Sequence, residues 1–262
     1  MFPGIENRPR AFPLAQTVVP CIGGLGLSND GTTPATVIDI AAGMCSSDDL
    51  AALISLGAFT KTTGAWAAGS GNGGLDTGSI AASAWYHFYA ILNPGSRAAD
   101  VVFTATAPSS GGPAMPAGFT KKRRIGVWKT DGSSHWVTMK QYGQASRREY
   151  LLGTPVRDQN GLSIGTGPTA VTLANVPPGL AVEAIINGVQ VGPTTVGVTT
   201  TFYPGDITSA PPDNNLGGRA STGASPAGFF ILRTNLTQQI NAASSSASAA
   251  VNVTTLGFYD DL

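Results

Sequence analysis

Charged side chains are scarce in this sequence. Asp, Glu, Lys and Arg make up 11% of its 262 residues, against ~25% in an ordinary soluble domain. Glutamate occurs only at Glu6, Glu149 and Glu183. Solvent-facing helices are normally surfaced with Glu and Lys, so this scarcity argues against a helical build. Cysteine is confined to Cys21 and Cys45, too few for a disulfide framework and without metal-ligand spacing. Two inert thiols are expected, with a bridge between them as the open alternative. The only histidines, His87 and His135, are well separated. With no Cys/His cluster beside them, no catalytic zinc and no cofactor is expected. No run reaches the ~18–20 apolar residues of a membrane-spanning helix. A secretory leader is not expected either. Pro3, Pro9, Pro13 and Pro20 interrupt the start of the chain, and no uninterrupted apolar stretch follows Arg8 and Arg10.

Glycine and proline are plentiful instead, at 34 and 18 residues, with abundant Ser and Thr. They follow no collagen-like period. Short alternating apolar runs separated by turn residues make the chain all-β, and an antiparallel β-sandwich of jelly-roll type is the expected form at this length. Residues 1–26 read as an extended N-terminal arm, because prolines there break any helix or ladder. Residues 27–262 form the body, with two subdomains meeting near 160–168 as an option. The strongest strand runs from Ser83 to Leu92, aromatic on both faces and therefore expected to be covered on both. His87 within it is expected to be a hydrogen-bonded core residue. Residues 61–82 read as a Gly-rich loop carrying Trp66, and Asn241–Ala249 as a Ser/Ala spacer. Arg147–Leu152 reads as a strand that turns at Gly153-Thr154-Pro155.

Local charge concentrates in one place. Residues 121–157 hold nine of the fifteen basic side chains, against Asp131 and Glu149. Within them, Pro116–Tyr142 reads as a two-stranded hairpin turning at Asp131-Gly132-Ser133-Ser134, with Lys121, Lys122, Arg123 and Arg124 at its entrance. Three readings of that basic run compete: a solvated hairpin face, a contact with a partner subunit, and nucleic-acid binding. The formal net charge of zero weighs against the last. A neutral, charge-poor chain also favours association over a lone soluble monomer.

Two enzyme-like patterns are present and carry little weight. Gly161-Leu162-Ser163-Ile164-Gly165 fits the nucleophile-elbow formula, yet both histidines precede Ser163 and no helical pattern follows it. Gly69, Gly71 and Gly74 fit a dinucleotide fingerprint without the strand and helix that such a cradle requires. The adjacent acids Asp48-Asp49 and Asp260-Asp261 point apart on an extended chain. No catalytic residues are nominated, and a non-enzymatic protein is the expectation.

Three stretches, SNDGTTPATVIDIAAGMCSSDD (28–49), AWYHFYAIL (84–92) and PAGFTKKRRIGVWKTDGSSH (116–135), together resemble a β-rich module of tailed-bacteriophage and prophage virion structural proteins, usually described as fibre-like. The similarity covers about residues 27–160 and brings no catalytic signature. It implies a head- or tail-associated virion protein, often trimeric, whose partners are capsid, portal, adaptor or tail proteins. On that reading Phe2, Ile5, Arg8, Arg10, Phe12 and Leu14 of the arm dock on a neighbouring subunit. Lys121 to Arg124 are then a second contact. The alternative is a carbohydrate-binding adhesin, in which Trp66 and Tyr142 stack on a host-surface glycan. A β-helical depolymerase is disfavoured, since no fixed-period repeat is present.

Overall fold

The computed structural model describes residues 18–143, 145–192, 197–209, 225–247 and 249–262. The arm positions Phe2, Ile5, Arg8, Arg10, Phe12 and Leu14 lie outside the described residues. The chain is nearly all β, and among the described residues its only helical turn is a 3₁₀ segment at Pro108–Ser110.

Among the described residues, ten strands form the first half: β1 (Ile22–Gly24), β2 (Leu27–Asn29), β3 (Val37–Ile40), β4 (Gly43–Ser46), β5 (Leu53–Leu56), β6 (Phe59–Ala65), β7 (Gly73–Leu75), β8 (Trp85–Asn93), β9 (Ala98–Thr104) and β10 (Lys121–Lys129). Eight follow: β11 (Met139–Tyr142), β12 (Arg147–Ile164), β13 (Thr169–Thr172), β14 (Glu183–Gly192), β15 (Thr200–Tyr203), β16 (Ala227–Arg233), β17 (Gln239–Ser244) and β18 (Ala249–Asp261). They build four sheets, ordered β1-β4-β5, β10-β8-β9-β7-β6-β3-β2, β11-β12-β18-β14-β16 and β13-β17-β15. Every ladder is antiparallel except β6–β7 and β7–β9.

The seven-stranded sheet curls until its edge strands β10 and β2 approach one another. Gly126 on β10 lies so close to Leu27 on β2 that a β-carbon there would sit 2.6 Å from Leu27 Cδ1. The remaining gap is bridged from the β11 side. Leu27 N–H donates to Gln141 Oε1 at 2.7 Å, and Asn29 donates through Nδ2 to Val137 O and accepts from Met139 N–H. Inside, Tyr86, Phe88, Phe103 and Trp136 pack with ring centroids 4.9–5.8 Å apart, a spacing at which edge-on and tilted aromatic pairs attract. In the second half the five-stranded sheet packs over β13-β17-β15, with Phe202 and Phe230 in contact at 5.4 Å. One apolar cluster runs through both halves, from Ile38 and Phe88 to Tyr150 and Phe258.

Several local expectations give way to these contacts. The basic hairpin does not form. Its two limbs share a single bridge, Thr130↔Trp136, after which β10 pairs with β8 and β11 pairs with β12 in another sheet. Burying Trp136 in the barrel pulls the second limb away from the first. The turn itself lies where expected, with Asp131 Oδ1 accepting from Ser133 N–H and His135 N–H, but its left-handed residue is Ser134 (φ +63°) and not Gly132. Residues 22–26 belong to the body, since β1 pairs with β4 and Leu25 is fully buried. The Gly-rich stretch 61–82 contains the end of β6 and all of β7. The Ser/Ala spacer supplies β17, whose Ile240, Ala242 and Ala243 are buried. β12 does not stop at Pro155 but continues to Ile164 through register shifts against β18, the form in which a strand accommodates proline. The chain passes between the sheet pairs at residues 130–139, and positions 160–168 lie at the end of β12 and the turn into β13.

Candidate functional site at the seam and on the outer sheet face

The basic run is engaged by the protein itself. Lys121 Nζ lies 2.5 Å from Asp49 Oδ2. Lys122 donates to Gly111 O and sits 5.5 Å from the centre of the Tyr89 ring. Arg123 donates to Leu262 O at 2.9 Å. Arg124 grips Asp260 with both terminal nitrogens, at 2.5 and 2.8 Å. That last pair is inside the protein, with side chains 12% and 2% exposed. Beside it Arg148, fully buried, donates to Gly24 O and Gln141 Oε1, while Gln141 also donates to Tyr150 Oη. One network thus ties β1, β10, β11, β12 and β18 together. Acceptors converge on the terminal nitrogens of both desolvated guanidiniums, while Arg148 Nε is left without a partner.

His87 faces this network without joining it. It is fully buried and neither ring nitrogen has a partner, so it is a core residue but not the hydrogen-bonded one expected. Burial, with the Arg124 charge adding to it, pushes its pKa down to about 3. The ring is therefore neutral at physiological pH. Cys45 is buried and Cys21 exposed, and the two are unpaired. Burial pushes the Cys45 thiol up to about 12, which makes it inert.

The Gly-rich loop is organised around Lys61, a residue the sequence did not single out. Lys61 is fully buried, 2.8 Å from Asp100 Oδ1, and donates to the carbonyls of Ala67, Gly69 and Gly73. Asp100 in turn accepts from Gly69 N–H and Val101 N–H. Gly69 and Gly71 take φ of +99° and +81°, conformations that let the loop wrap back over the ammonium. These glycines therefore serve a lysine rather than a phosphate. Trp66 closes the loop: its indole N–H donates to Val101 O at 3.1 Å, and its ring meets Phe119 edge-on at 5.5 Å. It is half-buried and pinned. Tyr142, at the end of β11, is 49% exposed. Ser163 sits within the β12–β18 ladder opposite Ala250, which is not the strand-turn-helix elbow of a hydrolase.

Two of the open surfaces among the described residues bear on function. The first is the outer face of the five-stranded sheet. Along β16 exposure alternates, and Phe229 (62%) and Ile231 (47%) point outward. Ile185 lies opposite Ile231 on β14. Together with Leu151, Leu152, Pro155, Leu256, Tyr259 and the carboxylate-bearing Glu149 they line a mainly apolar hollow of about 370 Å³. Val156, 45% exposed, lies on the same strand as Leu151 and Pro155. Arg147 marks the polar limit of this face, paired with Glu183, 3.6 Å from Asp261, and lying over the Tyr259 ring. β16 is also an edge strand, hydrogen-bonded to β14 alone among the described strands.

The second is a cleft of about 540 Å³ at the seam, lined by Ser83, Lys129 to Gly132, Trp136 to Thr138, Leu152, Thr154, Val156 and Asn175. Lys129 donates to Ala174 O and Asn175 Oδ1 and lies 5.6 Å from the Trp85 ring centre. Burial holds its pKa below the ordinary lysine range, with Asp158 opposing. Among the described residues no group of three or more His, Cys, Asp or Glu is placed to hold a metal. No helix among them is long and apolar enough to cross a membrane.

No family model matches the chain, and no curated protein is significantly similar to it.

Proposed function

We propose that this chain is a structural subunit of a tailed-bacteriophage virion, acting in a fibre, adaptor or decoration role. On this reading it self-associates, as a homotrimer, and is held to other virion proteins by its N-terminal arm. The observation that carries self-association is the apolar outer face of the five-stranded sheet. Phe229 and Ile231 stand exposed on an edge strand that carries no charge before its last residue, the exposed Arg233. Soluble monomers normally blunt such an edge with lysine, proline or a covering loop. The occupant proposed is a second copy of the chain, because a nearly neutral face without a dominant sign matches itself. The placement in a virion, the number three and the non-enzymatic role come from the resemblance in residues 27–160. The jelly-roll connection of the two sheet pairs belongs to the same proposal.

The test combines location and anchoring. Mass spectrometry of purified particles detects the full-length chain, and a variant lacking residues 1–17 folds with an unchanged cooperative melt but is missing from particles. Full-length protein absent from particles would overturn the virion reading. Truncated protein at normal copy number would overturn the arm as anchor.

A further inference from the structure

The seam cleft has the chemistry of a polyol site, and nothing above uses it. Its walls are fixed from behind. Asn175 is 5% exposed, and its backbone and side-chain N–H groups both donate to Asp158 Oδ1. Thr130 Oγ1 donates to Ala81 O and accepts from Ala84 N–H. These contacts hold the floor without help from a ligand, the preorganisation on which a small-molecule site depends.

The groups facing the opening are a different set. The hydroxyls of Ser83, Thr138 and Thr154 have no partner within the described chain. Lys129 keeps one ammonium proton beyond the two it donates inward. Asp131 commits Oδ1 to the turn, while Oδ2 meets only His135 Nδ1, at 4.0 Å. Ser83 is held at φ +53° by its N–H bond to Asp131 O, and non-glycine residues in that region cluster at functional sites. Between these polar groups lie Val137, Leu152 and Val156.

This pattern selects a class of ligand. One ammonium and one carboxylate line the cleft, and Asp158 stands behind Asn175, so a phosphate or sulfate gains little and is repelled by the two carboxylates. One carboxylate is too few for a hard divalent cation. A wholly apolar ligand would leave the three hydroxyls unmatched. A pyranose matches both parts, because its ring carries hydroxyls around the edge and C–H groups on its face. The volume of about 540 Å³ lies in the ~300–1,000 Å³ range of small-ligand sites. We propose that this cleft binds a neutral pyranose unit of a polysaccharide. Lys129 and Asp131 are its charged hydrogen-bonding partners, and Thr138 and Thr154 its hydroxyl partners. The site is separate from Trp66 and Tyr142 and does not depend on a virion location.

The test is amide NMR on the full-length protein with the methyl glycosides of glucose, galactose, mannose and N-acetylglucosamine, and with inorganic phosphate as a control. At least one glycoside is expected to shift amides in 129–138 and 174–175, with Kd on the order of 1 mM, as suits a single sugar ring. The exposed pair Thr138→Val and Thr154→Val, which leaves the buried contacts in place, should weaken that binding about tenfold, a change of ~1.4 kcal/mol. Lys129→Met should weaken it further, and Trp66→Phe should leave it unchanged. Silence with all four glycosides overturns the proposal. So do shifts that map to Trp66 or Tyr142, and so does phosphate producing the same shifts. A negative result here leaves particle incorporation unaffected, so the two readings fail separately.

Discussion

In the first sheet pair Lys61 is fully buried against Asp100, and at its seam with the second Arg124 of β10 meets Asp260 of β18 with little exposure. In the second, Arg147 lies half exposed beside Glu183, and Phe229 and Ile231 face solvent. The two regions thus invert the usual placement of polar and apolar groups. In the first, the charges are structural: they close a Gly-rich loop and fasten the seam. In the second, apolar residues that a solitary domain would cover remain outside. The difference indicates that a charge-poor chain can hold itself together with a few buried ion pairs while leaving an apolar sheet free for contact. Concentrated charge in the sequence therefore does not by itself mark the contact surface.

The largest expected effect is at the seam. Arg124→Ala leaves Asp260 buried and unpaired, and should destabilise by about 3–5 kcal/mol, read from denaturant unfolding at neutral pH. A loss below about 1 kcal/mol would show that the network is not what fastens β10 to β18.

An effect of comparable size, seen only in acid, is expected at His87. With its folded pKa depressed from 6.5 to about 3, the unfolded chain takes up a proton first as pH falls. The neutral ring therefore contributes its full stability above about pH 6.5, and that contribution is lost progressively between 6.5 and 3. His87→Leu should remove this acid loss, which amounts to several kcal/mol because each tenfold drop in proton affinity corresponds to ~1.4 kcal/mol. At neutral pH it should be stable or slightly stabilised, since two unpaired ring nitrogens disappear. Comparing the variant with the parent across the same pH series cancels the carboxylates, Asp48 included. An unchanged acid limb would show that His87 finds a partner in solution.

The smallest effect is predicted for the surface pair. Arg147→Ala should leave the unfolding midpoint almost unchanged, because both partners are exposed and screened. A loss matching that of Arg124→Ala would remove the contrast between the two regions.

Much of the strand framework was legible in the sequence. The aromatic alternation from Trp85 to Leu92 marked a strand covered on both faces, and all residues from Trp85 to Ile91 are buried. The turn at Asp131 was legible because its side chain makes the turn locally. What stayed hidden depends on tertiary partners. Trp136 leaves its expected hairpin because the barrel interior buries it among Tyr86, Phe88 and Phe103. β17 reads as a spacer because Ala and Ser carry little β preference of their own. Its partners β13 and β15 make it a strand. Lys61 gave no local signal, since its acceptors come from a loop and from Asp100 on β9. The continuous apolar run Phe229–Leu232 does not show which face of β16 stays open. That depends on which strand lies at the edge.

The central claim is that the five-stranded sheet presents a self-association face, and the molar mass in solution tests it most directly. Light scattering at micromolar concentration should give three times the 26.6 kDa chain mass for the parent protein. Phe229→Asp with Ile231→Asp should give the single-chain mass with a cooperative melt retained. A single-chain mass for the parent, or an unchanged oligomer in the double variant, would contradict the account.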